Sequence, residues 1–310
     1  MRVLVTGGAG FIGSHVADAY RAAGHEVAVV DDLSTGSREN VQPGVRFFPV
    51  DIRSAELPAV VAEFRPDVIN HHAAQLSVSI STKDPRRDAD INILGTLNLL
   101  EAAVRHGVGK VIFASTGGAV YGDSVPVPTD ETAVAQPVCP YGVAKLAVEK
   151  YLAAYRAMHG LQAVALRYSN VYGPRQSSLG EAGVVAIFCR AILGGRELTV
   201  NGDGEQTRDY VYVADVVRAN MLATEMPLDR ELPVFNIGTG RETSVNDLVL
   251  LLRGVTGKDL KWRHGPPRPG EQRRSVLECS WVKRALGWEA TTDLRTGLGR
   301  TFEWFAGEHT

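Results

Sequence analysis

The sequence is short of the residues that mark several large classes of protein. Cysteine is scarce, with only Cys139, Cys189 and Cys279 in 310 residues. An odd, widely spaced set of this kind builds neither a disulfide framework nor a CxxC metal knot, and a reducing cytoplasm is the expected setting. Charge of one sign is not in excess. Lysine and arginine number 33 against 35 acidic residues, for a formal net charge of −2, which excludes a mainly electrostatic nucleic-acid binder. No apolar run approaches the ~18 residues of a membrane span. The opening Met1-Arg2-Val3-Leu4-Val5-Thr6 leads directly into a strand pattern. It lacks the basic region, apolar core and small-residue cleavage site of a signal peptide. Internal repeats and low-complexity tracts are missing too. With 45% apolar and 22% charged residues, the composition is that of a globular chain and not of a disordered one.

What is present is an alternation of strands and helices. Val3–Val5 is a β-branched run that ends at glycines, and Phe11 to about Ala23 reads as a helix stopped by Gly24. Strands are expected at Glu26–Asp31, Val45–Val50, Val68–His71, Val111–Ala114 and Ala163–Tyr168. Helices are expected at Leu57–Phe64, about Asp88–His106 and Tyr141–His159. Several strands are nearly continuous apolar runs, the pattern of strands covered on both faces. The expected fold class is therefore α/β, a doubly wound parallel sheet with a second, smaller lobe. After about Asn170 glycine and proline become frequent and the elements shorten. The expected division is 1–169 for the sheet domain and 170–310 for the smaller lobe. A segment near 205–240, with the apolar run Val234–Ile237, is expected to return to the main sheet.

Thr6-Gly7-Gly8-Ala9-Gly10-Phe11-Ile12-Gly13 follows the first strand and opens the first helix, with glycines at 7, 10 and 13. Such a turn lets backbone N–H groups approach a pyrophosphate at the positive end of a helix. A glycine string alone is a weak signal, but here it has context. The second strand ends in Asp31-Asp32, 18 residues past Gly13, where an acidic group is expected to hold the ribose hydroxyls of NAD. A carboxylate there repels a 2′-phosphate, so NAD is favoured over NADP.

Tyr141 and Lys145 stand at i and i+4 and share one face of a helix. The fifth strand ends in Ser115-Thr116, at the sheet edge where doubly wound folds bind ligands. A hydroxyl, a phenol and an ammonium beside a nicotinamide form a proton-transfer device. The positive charge of the lysine and of the oxidised nicotinamide is expected to lower the phenol's pKa. The phenolate would then accept a proton from an alcohol while hydride leaves the same carbon.

Over nearly its whole length the sequence resembles the extended short-chain dehydrogenase/reductases, and among them the UDP-glucose 4-epimerases. The motifs are TGGAGFIGSH (Thr6–His15), VVDDLSTG (Val29–Gly36), HHAAQ (His71–Gln75), ASTGGAVYG (Ala114–Gly122), PYGVAK (Pro140–Lys145), LRYSNVYGPR (Leu166–Arg175), RDYVYVADV (Arg208–Val216), NIGTG (Asn236–Gly240) and PPRPGE (Pro266–Glu271). The resemblance implies a Rossmann domain that holds NAD and a lobe that holds a UDP-sugar. It places Gly7, Gly10, Phe11, Ile12 and Gly13 along the pyrophosphate and Asp31, Asp32, Leu33, Ser34, Thr35 and Gly36 around the adenosine ribose. Asp51 and Ile52 would flank the adenine. Ala73, Ala74, Gln75, Asn92, Ser115, Tyr168 and Ser169 would line the rest of the cofactor. Tyr141 is implied as the base, Lys145 as its partner and Thr116 as the hydroxyl helper. For the substrate, Asn170, Arg208 and Arg268 match diphosphate contacts, Thr199, Val200 and Asn201 lie beside the uracil, and Glu271 and Ser275 belong to the sugar side.

Departures from the family inform specificity. Some members carry a lysine in the loop after the fourth strand, where this chain has Gln75-Leu76-Ser77. A small Ser275 at the position of the sugar gate leaves room for a 2-acetamido group, so UDP-N-acetylglucosamine is an expected second substrate. A 4,6-dehydratase would need an acidic pair where this chain has Gly117-Gly118. A UDP-glucuronate 4-epimerase stays open as an alternative, whereas a non-catalytic NAD-binding regulator would lack the intact Tyr141 and Lys145. No metal is expected: His71 and His72 are adjacent on a strand and point to opposite faces. The two long helices are expected to pair between subunits in a homodimer.

Overall fold

The computed structural model describes residues 1–123, 125–177, 183–227, 233–267 and 272–307. The chain divides into two compact units. The first comprises 1–122, 134–168 and 217–235, and the second 123–133, 169–216 and 236–310.

The first unit is built on parallel strands: β1 (Arg2–Thr6), β2 (Glu26–Val30), β3 (Arg46–Phe48), β4 (Val68–His71), β5 (Lys110–Thr116) and β6 (Gln162–Tyr168). Among the described residues the main sheet has seven strands, with Val234–Ile237 beyond β6 and β3 at the opposite edge. The order β6-β5-β4-β1-β2-β3 reverses direction between β1 and β4. That reversal is the switch point where doubly wound sheets bind ligands.

The helices are α1 (Phe11–Ala22), α2 (Leu57–Phe64), α3 (Val78–Lys83), α4 (Pro85–Ala89), α5 (Gly95–Arg105), α6 (Gly117–Val120) and α7 (Pro140–His159). Leu57, Val61 and Phe64 of α2, Leu99 and Leu100 of α5, and Val148 and Leu152 of α7 bury one face of the sheet against Leu4, Ile69, Val111 and Phe113. The long α7 has Pro140 at its first turn and ends at Gly160 in the left-handed conformation (φ 68°), the expected punctuation of a helix.

Two features of the first unit were not in the sequence pattern. The helix expected at Asp88–His106 begins at Pro85 and is broken by a π-turn over Asp90–Leu94. The second is Lys110, buried at the start of β5, whose Nζ donates to the carbonyls of Ala223, Thr224 and Met226 at 3.2, 2.6 and 2.7 Å. These lie at the carboxyl end of the helix Val213–Glu225, where carbonyls lack intrahelical partners.

In the second unit, Asn170–Tyr172 pairs in parallel with Tyr210–Tyr212, and Leu198–Asn201 with Trp262–Gly265. Thr207–Arg208 lies between Thr243–Ser244 and Arg274–Ser275. Asp215 anchors the turn at 291–292: its carboxylate accepts from Thr291 N, Thr291 Oγ1 and Thr292 N.

Candidate active site

The glycine turn follows from the packing of β1 and β4. Gly7 has φ +67°, and a Cβ there would sit 2.6 Å from the backbone N of Ala73. The two loops that leave adjacent strands are thus in contact. A Cβ on Gly13 would be 2.3 Å from Gly7 O, so only glycine lets α1 start so close to β1. Gly10 differs: a Cβ there would meet only Gly7 O, at 3.2 Å, with no further protein atom within 4 Å. Gly10 caps α1 without a side-chain hydrogen bond. The first N–H groups of the helix and the clear space over Gly10 fit a diphosphate.

Asp31 is buried at the end of β2, and its two carboxylate oxygens accept from Ala9 N at 2.9 Å and Leu33 N at 2.9 Å. Burial raises its pKa against the pull of those hydrogen bonds. Asp31 therefore links the ribose-side loop to the glycine turn, and each oxygen keeps acceptor capacity. Asp32 accepts from the backbone and hydroxyl of Ser34. Leu33 has φ +58°, Thr35 is exposed, and Gly36 packs against Ala9. Asp51 is held by the Arg53 guanidinium, which keeps its carboxyl below the usual range. Ile52 is turned into the core against Gly95. The glycine turn and Asp31, with acceptor capacity left on each carboxylate oxygen, fit the NAD that the sequence calls for.

Along the sheet edge, Thr6 pairs with His71 and His71 with Phe113. Thr6 and Phe113 are therefore two strand spacings apart, about 10 Å, and β5 runs on past Phe113 to Thr116. His71 bridges Thr6 Oγ1 (2.6 Å) and Thr96 Oγ1 (2.9 Å). Because the Thr96 hydroxyl donates to Asn92 O, the imidazole donates from Nε2 and accepts at Nδ1. Burial, the Lys145 charge and His72 keep His71 neutral. His72 stacks on Tyr168 with ring centroids 6.2 Å apart, and burial and Lys145 hold it down to about 3.

The loop after β4 is clasped by its own amides. Gln75 N donates to Asn92 Oδ1 and Asn92 Nδ2 returns a bond to Gln75 O, both at 2.9 Å. The Gln75 side chain holds Ser77 through both amide ends. Asp88 Oδ1 accepts from Gln75 Nε2 at 2.8 Å and from Asn92 Nδ2 at 3.0 Å. The π-turn at 90–94 carries Asn92; such turns are frequent at functional sites. Ala74 lies half-buried between the two motifs.

The first turn of α7 lies against the segment that follows Thr116: a Cβ on Gly142 would be 2.4 Å from Ala119 O. Lys145 is 4% exposed, donates from Nζ to Ala114 O at 2.9 Å, and stands 4.7 Å from the Phe113 ring centroid and 5.8 Å from that of Tyr141. Burial lowers its pKa to about 8, opposed by the charges of Asp88 and Glu149. Burial acts on the phenol against the lowering expected from the charges of Lys145 and a bound oxidised nicotinamide. Burial pushes Tyr141 well above the ordinary phenol range, and Asp88 and Cys139 add to the rise. A helical spacing reports which groups share a face. It does not report how much water has been removed from around them.

Ser115 and Thr116 are separated by their bonding. The Ser115 hydroxyl donates to Glu149 Oε1 at 2.6 Å, and Glu149 takes both forks of Arg167, at 3.0 and 2.6 Å. This buried carboxylate ties α7 to β5 and β6, and it was missed in the sequence. Its signal was present: Tyr141, Lys145 and Glu149 recur every four residues on one face. Thr116 is half-buried and its side chain caps nothing on α6.

In the second unit Asn170, Arg208 and Ser275, all implied for the nucleotide sugar, lie around another missed acid. Asp209 is fully buried and accepts from Thr239 N, Thr239 Oγ1 and Gly240 N at 2.8, 2.6 and 3.1 Å. Its backbone O receives Asn170 N, and its N donates to Ser275 O. Arg208 pairs with Ser275 across the two strands. Thr199, Val200 and Asn201 share one strand, with Val200 turned fully into the core. Ser169 N donates to Ile237 O. Arg268 and Glu271 lie outside the described residues.

With a glycine turn at the switch point of a doubly wound sheet, the fold defines a class, that of dinucleotide-dependent α/β enzymes. Comparison with known proteins narrows it. The family model described as the NAD dependent epimerase/dehydratase family matches residues 3–238, and the chain belongs to that family. It is similar to a UDP-glucose 4-epimerase of Thermotoga maritima solved with UDP-glucose, at 49% identity and TM-score 0.97 over 100% of both chains. A Thermus thermophilus UDP-glucose 4-epimerase complexed with NAD is 46% identical, with TM-score 0.93 over 99% of each chain. A UDP-N-acetylglucosamine 4-epimerase of Methanobrevibacter ruminantium is 34% identical, with TM-score 0.93 over 99% of this chain and 98% of that one.

Proposed function

We propose that this chain is an NAD-dependent UDP-glucose 4-epimerase, which interconverts UDP-glucose and UDP-galactose. The observation that carries the reading is the phenol–ammonium pair Tyr141–Lys145 at the end of β5, in a chain similar over its full length to epimerases. When bound, NAD supplies a reversible hydride acceptor for C4 of the hexose. Tyr141 takes the proton of the 4-hydroxyl as C4 becomes a ketone, and returns it after the carbonyl has presented its other face. Lys145 keeps a positive charge beside the phenolate, and the Thr116 hydroxyl steadies the reacting oxygen. Asn170, Arg208 and Arg268 recognise the diphosphate with amide and guanidinium donors, and Thr199–Asn201 lie by the uracil.

A second substrate, UDP-N-acetylglucosamine, is favoured by the small, buried Ser275 beside Arg208 and by the third similar structure. The test is a product assay with UDP-galactose, UDP-N-acetylglucosamine and UDP-glucuronate in parallel on NAD-loaded protein. Conversion of the plain hexose is expected, with the acetamido sugar also turned over. No conversion of the hexose would overturn the main reading, and conversion of the uronate alone would replace it. The protein is further proposed to be a cytoplasmic homodimer. Leu94 of the π-turn and Val143, Tyr151 and Met158 of α7 expose apolar surface suited to pairing with a second copy. The three cysteines are free, as a reducing compartment leaves them, and among the described residues no helix is long and apolar enough to cross a membrane.

A further inference from the structure

A buried carboxylate next to a catalytic phenol is costly and needs a reason. Asp88 is 1% exposed on α4. Only Oδ1 is engaged by the Gln75 and Asn92 amides, which join the loop after β4 to the π-turn. Asp88 also shares the wall of a cavity of about 430 Å³ with Cys139, the residue that caps α7, and with Val143 and Ala144 of its first turns, which flank Tyr141 in sequence. Its charge acts on both Tyr141 and Lys145.

We propose that Asp88 is a positioning residue for proton transfer: it fastens the Gln75–Asn92 clasp beside α7 and supplies the negative charge that faces the Tyr141–Lys145 pair. The inference rests on the epimerase reading. The other charged groups around the pair are accounted for. Glu149 is paired with Arg167, and His71 at the end of β4 and His72 just after it are held neutral by burial. Lys83 of α3 and Arg86 and Arg87 of α4 are exposed. Asp90 is bonded to Arg53, and Glu101 of α5 to Tyr155, further along α7. Cys139 lines the same cavity. Of the two buried carboxylates whose charge acts on Lys145, Asp88 and Glu149, Asp88 is the one that also acts on Tyr141. Burial raises its own pKa, so ionised Asp88 is kept at a cost to stability.

The isosteric Asp88→Asn keeps an oxygen for both amides and removes only the charge. With that charge gone, the phenol and the ammonium both lose protons at lower pH. Both limbs of the kcat–pH profile are therefore expected to move to lower pH, by about half a unit or more, and the melting temperature at neutral pH is not expected to fall. Asp88→Thr, likewise uncharged, is expected to shift the limbs the same way, and Asp88→Glu to restore them toward wild type. Limbs that stay in place in both uncharged variants would overturn the inference, as would a uniform drop in kcat with an unchanged profile. An inactive wild-type enzyme would instead overturn the epimerase reading, so the two failures are distinct.

Discussion

At the scale of single residues, the proposed chemistry depends on a phenol whose ionisation burial opposes and the charges of Lys145 and a bound oxidised nicotinamide would favour. Burial raises Tyr141, and Lys145 sits 5.8 Å from the ring centroid. Replacing the phenol with a ring that cannot carry the proton isolates its role. Tyr141→Phe is expected to lower kcat at least ~100-fold, within the range typical of a general base, while bound NAD, read from the cofactor released on denaturation, stays at the wild-type level. The lysine sets an upper pH limit. Its folded-state pKa lies near 8, below the ordinary lysine value, because burial disfavours the charge. The ammonium is present below that pH and lost above it, so kcat is expected to decline as pH rises through about 8. A kcat plateau continuing well above that pH would remove the ammonium from the mechanism. Much of this site was legible in the sequence. Tyr141 and Lys145 were singled out by their spacing taken with the strand end at Ser115-Thr116, and Gly7, Gly13 and Asp31 by a turn whose steric logic is local. What could not be read was how strongly burial opposes ionisation of the phenol, or the commitment of Ser115 to Glu149, because both follow from packing between elements distant in sequence.

At the scale of elements, punctuation made the helices legible. α2 falls where the apolar run and Pro66 imply, and α7 lies between Pro140 and Gly160. The stretch from 85 to 105 was harder. The periodicity is helical on both sides of 90–94, and a π-turn adds one residue to a single turn without changing composition. The strand β5 carries the other unread feature, a lysine at a position that would ordinarily be apolar. Burial lowers the Lys110 pKa, yet its three carbonyl partners terminate the helix Val213–Glu225. Lys110→Met fills similar volume but leaves those carbonyls without their donor. A loss of about 2–4 kcal/mol is expected, measured by urea unfolding. A loss below ~0.5 kcal/mol would show that water replaces the ammonium.

At the scale of the whole molecule, α7 presents the proposed proton-transfer pair at one end and exposes Val143, Tyr151 and Met158 along its length. If that face pairs two copies, a double change, Val143→Glu with Met158→Glu, is expected to convert a dimer to a monomer in light scattering, with the far-UV circular dichroism spectrum retained. A wild-type protein that is monomeric at micromolar concentration would discard the pairing. The strand content of the sheet was readable from apolar runs, and so was the return of a segment within 205–240, but the short crossing at 123–133 was not, because that boundary is set by which segments pack together and not by any linker.

That interleaving has a consequence for how the protein is made. The first unit includes 217–235, and the carbonyls that satisfy Lys110 come from residues more than a hundred positions later. A ribosome will have released most of the sheet well before the segment that satisfies this buried cation leaves the exit tunnel. Nascent chains ending near residue 168 should therefore stay protease-sensitive, and the earliest stable intermediate should arise only once residue 226 has emerged.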